Sequence, residues 1–327
     1  MGRLSNISTK NYDDMIKGRI TEILDIEYPI FQGGMAWVAN ASLASAVCEA
    51  GGLGIIAAMN SNSEQLTAEI NKMRELTRKD FAVNIMLMSP FADEIAKTVI
   101  ELKVPVITTG AGNPAGYMAS WIGAGMKVIP VVPSTAYAKL MERAGAAAVI
   151  AEGCESGGHI GELTTMTLIP QVCDAVGIPV IAAGGIADGR GIAAALMLGA
   201  EGVQVGTRFL IAKECTIHQN YKDKIISAKD IDTIVTGKRL GHPVRTIKNQ
   251  FSRKFFEYEY NMDVSNEELE KMGAGSLRRA VEGDVINGSV MAGMSAGLVK
   301  KEQTCKEIIG EMFYEAEETL KGASKWV

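Results

Sequence analysis

Eight short apolar runs, each followed by a segment long enough for a helix, occupy residues 28–210 and constrain the fold more than any other feature. They are YPIFQGG (28–34), GLGIIAA (52–58), FAVNIML (81–87), VPVITTGA (104–111), KVIPVV (127–132), AAVIAEG (147–153), IPVIAAGG (178–185) and GVQVGTR (202–208). Each is too short for a buried helix and ends in Gly, Pro or a polar residue, as parallel strands covered on both faces read. Between them lie helix-like stretches such as SLASAVCEA (42–50), SEQLTAEINKMREL (63–76) and STAYAKLMERA (134–144). Eight strands with helical crossovers predict an α/β fold, a closed TIM (β/α)8 barrel spanning residues 20–213. An open doubly wound sheet uses similar units but has no need of eight.

After residue 213 the alternation stops. Residues 214–327 are polar at first, then hold an acidic helical stretch (265–272), a Gly/Met/Ala segment (288–299) and a final helix from about 302 to 321. This is expected to be a C-terminal helical and loop appendage, partly lid and partly closing helix. Residues 1–19 are expected to be a flexible tail. A formal net charge of -5 argues against bulk nucleic-acid binding, which needs an excess of cations facing phosphate. No apolar run approaches the roughly 18 residues that span a bilayer. The amino terminus lacks a secretory signal, and the five scattered cysteines offer neither a disulfide framework nor a metal site. The expected location is cytoplasmic.

In such barrels the loops at the carboxyl ends of the strands build the catalytic face. Those ends hold Gly33, Gly34 and Met35, then Asn84, Glu152 with the loop 153–161, Gly184 with Gly185, and Gly206 with Thr207. The last two pairs follow strands seven and eight, where barrels frequently bind phosphate through backbone amides. A single glycine pair marks only a tight turn, but two such loops together favour a phosphate site. Asp188 is placed to cap the helix that follows. VPVITTGAGNPAG resembles a dinucleotide fingerprint, yet its spacing and Pro114 assign it to the fourth barrel loop. His159, flanked by Gly157, Gly158 and Gly161, lies on the same face with a side chain suited to proton transfer. A lone histidine is more often structural, but this placement favours catalysis. Residues 236–256 carry Lys238, Arg239, Arg245, Lys248, Arg253 and Lys254 without Asp or Glu. Such a stretch either faces an acidic partner or phosphate, or is a basic surface in water.

The strings QGGMAW (32–37), NIMLMSPF (84–91), TTGAGNP (108–114), AEGCESGGHIGELTTM (151–166), IPVIAAGGIADGRG (178–191) and QVGTRF (204–209) resemble a known family. It is the flavin-dependent enoyl-acyl-carrier-protein reductases of the FabK type, within the nitronate monooxygenase superfamily of FMN barrels. The resemblance runs from about residue 20 to 320. It implies FMN with its phosphate on Gly184, Gly185, Gly206 and Thr207. Gly33, Gly34, Met35 and Asn84 would lie against the ring, with Glu152, Gly157 and Gly158 completing the pocket and His159 as the active-site histidine. It further implies NADPH or NADH as hydride donor, an acyl carrier protein bearing the enoyl substrate, a place in fatty-acid elongation, and a homodimer. Met294 stands where the family often has Gln, and it is left outside the site. Nitronate monooxygenase is the alternative activity, and a non-catalytic flavin-binding module a third.

Overall fold

The structure, a computed structural model, describes residues 16–59 and 61–326. The expected tail falls largely outside them, but its last residue, Arg19, opens a helix, α1 (Arg19–Leu24). The barrel therefore begins earlier than the sequence reading placed it. Six strands follow in turn: β1 (Ile30–Gln32), β2 (Ile55–Ala57), β3 (Ala82–Met86), β4 (Val106–Gly110), β5 (Lys127–Val132) and β6 (Val149–Glu152). A two-residue strand, β7 (Gly158–His159), interrupts the series before β8 (Val180–Ala183) and β9 (Gly202–Val205). Between them run α2 (Ala41–Glu49), α3 (Ser63–Leu76), α4 (Ala92–Glu101), α5 (Ala115–Gly123), α6 (Thr135–Arg143), α7 (Thr165–Ala175) and α8 (Gly189–Met197).

The parallel order is β1-β9-β8-β6-β5-β4-β3-β2, so each strand of the eight lies beside its sequence neighbour and the last beside the first. The ring closes between β1 and residues just before β2, where Leu53 N–H donates to Ile30 O at 2.9 Å and Gln32 N–H to Leu53 O at 3.0 Å. This is the TIM barrel that the eight apolar runs predict. Its strands are buried on both faces, which is why they read as continuous apolar segments. Inside, Phe31, Ile55, Val106, Ile129, Ile150 and Ile181 form one cluster with Ile20 and Leu24 of α1. Arg19 Nη1 donates to Gly177 O at 2.7 Å and its Nε to Glu201 Oε1 at 3.0 Å, both residues lying just ahead of barrel strands. Helix α1 thus plugs the end opposite the carboxyl-end loops.

The chain then continues through α9 (Thr207–Leu210) and α10 (Gln219–Ile226) to a hairpin of β10 (Thr233–Thr236) and β11 (Val244–Ile247). After it come α11 (Gln250–Tyr260), α12 (Asn266–Gly273), α13 (Ser276–Val281) and α14 (Cys305–Gly322). The acidic stretch and the final helix are α12 and α14, as expected. The hairpin is new: the segment read as polar and unpatterned contains two strands. β11 pairs antiparallel with both β10 and β7, joining the appendage to the barrel. No helix of the described residues is long and apolar enough to cross a membrane.

Asp188 caps α8 as its sequence position suggests, with Oδ1 accepting from Gly191 N–H at 3.0 Å. Replacing it with alanine removes the acceptor for an otherwise unpaired amide. Asp188→Ala is expected to lower the unfolding free energy by about 0.5–2 kcal/mol. Urea or guanidinium denaturation reads this directly, and an unchanged midpoint would show that the cap adds nothing.

Candidate active site

At the carboxyl ends of the strands the barrel opens into a cavity of about 770 Å³. Every residue nominated from the sequence lies on its wall: Gly33, Gly34, Met35, Asn84, Glu152, Gly157, Gly158, His159, Gly184, Gly185, Gly206 and Thr207. Gly110, Ala111, Gly112 and Asn113 of the fourth loop line the same space. The apparent dinucleotide fingerprint is therefore part of the barrel mouth.

Beyond β1 the chain needs a residue without a side chain. A Cβ on Gly34 would sit 2.4 Å from Asn84 Cβ, so only glycine admits the Asn84 side chain here. Asn84 is held on both sides: its Nδ2 donates to Gly34 O at 3.3 Å, and Thr108 Oγ1 donates to its Oδ1 at 3.0 Å. Gln32 Oε1 accepts from Ile55 N–H at 3.1 Å, while its Nε2 donates to Gly33 O, tying the first loop to β2. Just after β8, the seventh strand of the barrel, Gly184 has φ +97°, and a Cβ there would lie 2.7 Å from Gly153 O. That turn brings bare backbone to the cavity where the sequence reading placed phosphate. Thr207 Oγ1 accepts from Gly293 N–H at 2.9 Å, so the second of these loops is braced by the appendage.

Glu152 ends β6 at the cavity wall. The cavity leaves it some accessible surface, but protein encloses the carboxyl, and burial pushes it up to about 7. Ser156 Oγ beside it offsets part of that rise. The contact is a poor one, because the same buried hydroxyl has no hydrogen-bond partner of ordinary geometry. It is a polar atom on the cavity wall left for a ligand. In the ligand-free chain Glu152 thus holds a proton that it loses on unfolding, between the usual carboxylate range and about pH 7. The folded state binds more protons across that window, so its stability falls as pH rises through it. Glu152→Gln is expected to flatten this dependence, worth ~3 kcal/mol at its full extent. Denaturation of cofactor-stripped protein from pH 4.5 to 8 measures it. Parallel curves for parent and variant would place the carboxyl's titration elsewhere.

His159 projects at the cavity mouth with its backbone in β7. Although the residue keeps exposed surface, desolvation of the imidazole lowers its pKa below the ordinary histidine value, and His242 adds to the effect. The two rings stand edge to face with centroids 6.5 Å apart. His159 is accordingly neutral near pH 7, with one N–H to donate.

Several contributors were not nominated from the sequence. Tyr221 of α10 lines the cavity and donates to Met291 O at 2.7 Å, with burial driving its phenol far above the ordinary value. Met291, Ala292, Gly293 and Ser295 complete that wall. Their only signal was the Gly/Met/Ala segment itself. Met294 is not among the residues of the cavity wall and is 43% exposed. The basic stretch divides. Arg239 donates to the backbone carbonyls of Glu259, Asn261 and Val264, and Arg245 is buried against Cys154 O. Neither is a free docking charge, which corrects that reading for these two; Lys238, Arg253 and Lys254 are the exposed cations.

The family described as nitronate monooxygenase matches residues 17–315. The structure is similar to that of FabK from Thermotoga maritima, at 51% identity over 95% of this chain and 100% of that one, with a TM-score of 0.93. It is also similar to nitroalkane oxidase from Streptomyces ansochromogenes, at 27% identity over 93% and 99% of the two chains, TM-score 0.84. A probable nitronate monooxygenase of Staphylococcus aureus strain Newman is 35% identical over 310 residues, 81% of this chain and 87% of that protein. The chain belongs to the nitronate monooxygenase family and, within it, resembles the FabK type.

Proposed function

We propose that this protein reduces trans-2-enoyl thioesters carried on acyl carrier protein, using FMN and NADPH or NADH. One observation carries the choice of reaction: 51% identity to FabK over nearly the full length of both chains, against 27% to the nitroalkane oxidase. The cavity suits FMN in three respects. Its volume falls in the usual range for ligand pockets. Gly34 and Gly184 on its wall let neighbouring backbone and side chains close up around it, since a Cβ would strike Asn84 at the first and Gly153 O at the second. The unpartnered Ser156 hydroxyl offers a polar contact. Gly184, Gly185, Gly206 and Thr207 would hold the phosphate, and Gly33, Gly34, Met35, Asn84, Glu152, Gly157 and Gly158 the ring.

When bound, FMN supplies hydride transfer, and the protein supplies orientation and charge stabilisation. Negative charge develops on the thioester oxygen as the β-carbon is reduced, and a donor aimed there lowers the barrier. His159, neutral and half-enclosed, is that donor or the source of the α-carbon proton. Glu152, protonated up to about pH 7, presents a hydroxyl hydrogen to the cavity rather than a charge. The exposed cations Lys238, Arg253 and Lys254 are the groups left to meet an acidic carrier protein.

The test is an anaerobic spectral titration of the yellow protein. It is bleached with one equivalent of NADPH, or of NADH, and a crotonyl or longer 2-enoyl thioester is then added before air. Return of the yellow colour on adding thioester alone is the expected result. Colour that returns only with oxygen, or with a nitronate present, would replace this reading with nitronate monooxygenase, which the Staphylococcus relative favours.

A further inference from the structure

The strand that bears His159 is held from outside the barrel. β11 sets Val244 opposite His159 and Arg245 opposite Gly158. From that position Arg245 reaches back along the loop: Nε and Nη2 both donate to Cys154 O, at 3.2 and 2.9 Å, and Nη1 donates to Thr233 Oγ1 at 3.2 Å. The side chain is buried, with no ion pair among the described residues. Burial lowers its pKa, although Cys154 and Glu155 act in the opposite sense.

A buried cation whose neighbouring carboxylate, Glu155, is not in ion-pair contact is costly, and an apolar side chain of similar length would fill the same space without that cost. What a guanidinium adds is a planar fork that fixes one carbonyl from two directions. The fixed carbonyl starts the turn into His159. The next residue, Glu155, is anchored twice more: its carboxylate accepts from Thr165 N–H at 2.9 Å, and its carbonyl accepts from Met294 N–H at 2.9 Å. From there Ser156, Gly157 and Gly158 lead directly to the histidine. We propose that Arg245 is a positioning residue for His159, acting through the Cys154 carbonyl to hold the imidazole at the cavity mouth. This rests on the reading of His159 given above.

The titratable and charged groups on the elements around His159 are His242, Lys238 and Arg239 of the hairpin turn with Glu259 bonded to its amides, Arg245 of β11, Glu152 of β6, and Glu155 and Glu162 of its own loop; of these His242 acts on its titration. The inference is tested on FMN-loaded protein with Arg245→Ala and Arg245→Lys. Histidine proton NMR, read without substrate, should show the His159 titration moving up toward its ordinary value in both variants as the loop relaxes and the ring gains water. With enoyl thioester, kcat should fall about 10- to 100-fold, while KM for the nicotinamide donor and FMN content stay as in the parent. Added guanidinium ion should restore part of the lost kcat to Arg245→Ala. An unmoved His159 titration, a parent-like Arg245→Lys, or loss of FMN from both variants would each overturn the assignment. If Arg245→Ala does not fold, Arg245→Lys carries the test alone. Should His159→Ala turn over as fast as the parent, the catalytic role of His159 falls while enoyl reduction stands, and the NMR result still judges whether Arg245 positions the ring.

Discussion

Replacing His159 with alanine is expected to slow turnover of an enoyl thioester about 10²- to 10⁴-fold, the usual loss when a positioned proton donor is removed. FMN content and thermal stability should hardly change, because the side chain sits at the cavity mouth and its backbone pairs with β11 whatever the residue. The pH profile sharpens the expectation. Desolvation and His242 hold the His159 imidazole below the ordinary histidine pKa, so a step in kcat from this group falls on the acid side of that value. Below the step the ring is an imidazolium; above it, a neutral N–H donor. In His159→Ala the step should vanish. A variant that keeps both the rate and the step would place proton delivery on another group, and Glu152, with its carboxyl near pH 7, is next in the cavity.

The largest expected structural effect is at Gly184. Its φ of +97° is strained for any residue with a side chain, and an added Cβ would meet Gly153 O at 2.7 Å and Thr165 Oγ1 at 3.0 Å. Gly184→Ala is expected to lose about 2–5 kcal/mol, the sum of backbone strain and overpacking. Displacement of this turn should also leave the purified protein largely colourless. Gly116, where an added Cβ meets nothing within 4 Å, is the matched control and should behave as the parent. Melting curves and the absorbance of bound flavin per chain give both readouts. A yellow Gly184→Ala protein with an unshifted melt would remove this loop from the cofactor site.

Much of this site was legible because barrel geometry converts position in sequence into position in space. A residue ending a strand, as Glu152 ends β6, must face the carboxyl-end mouth and is found by counting strands; Asn84 lies in the middle of β3, two residues before its end, and still reaches the cavity. The glycine-rich loops announce themselves in the same way. What was not legible lies where a residue acts on a distant partner. TIVT and VRTI look like ordinary polar chain; they pair with each other, and only the further pairing of the second with Gly158 and His159 ties them to the site. Arg245 reads as a surface charge until Cys154 O is seen at its fork. Tyr221 gives no sign in sequence that its hydroxyl meets Met291 O. The first helix was missed because most of the chain before it is polar, and α1 is recognised by the barrel end it plugs.

The pairing of β11 with β7 also orders events during synthesis. Contacts between remote segments form late, since chain entropy must be overcome before they reward the fold. The ribosome adds roughly 5–20 residues per second, so His159 emerges several seconds ahead of Arg245 and Met294. Once β8 and β9 have followed, a nascent barrel has its eight strands and its glycine loops but still no brace for the histidine strand. The same late segments brace Thr207 through Gly293 N–H and complete the cavity wall. Competence therefore arrives with the last third of the polypeptide, which closes the cavity and fixes the histidine strand together.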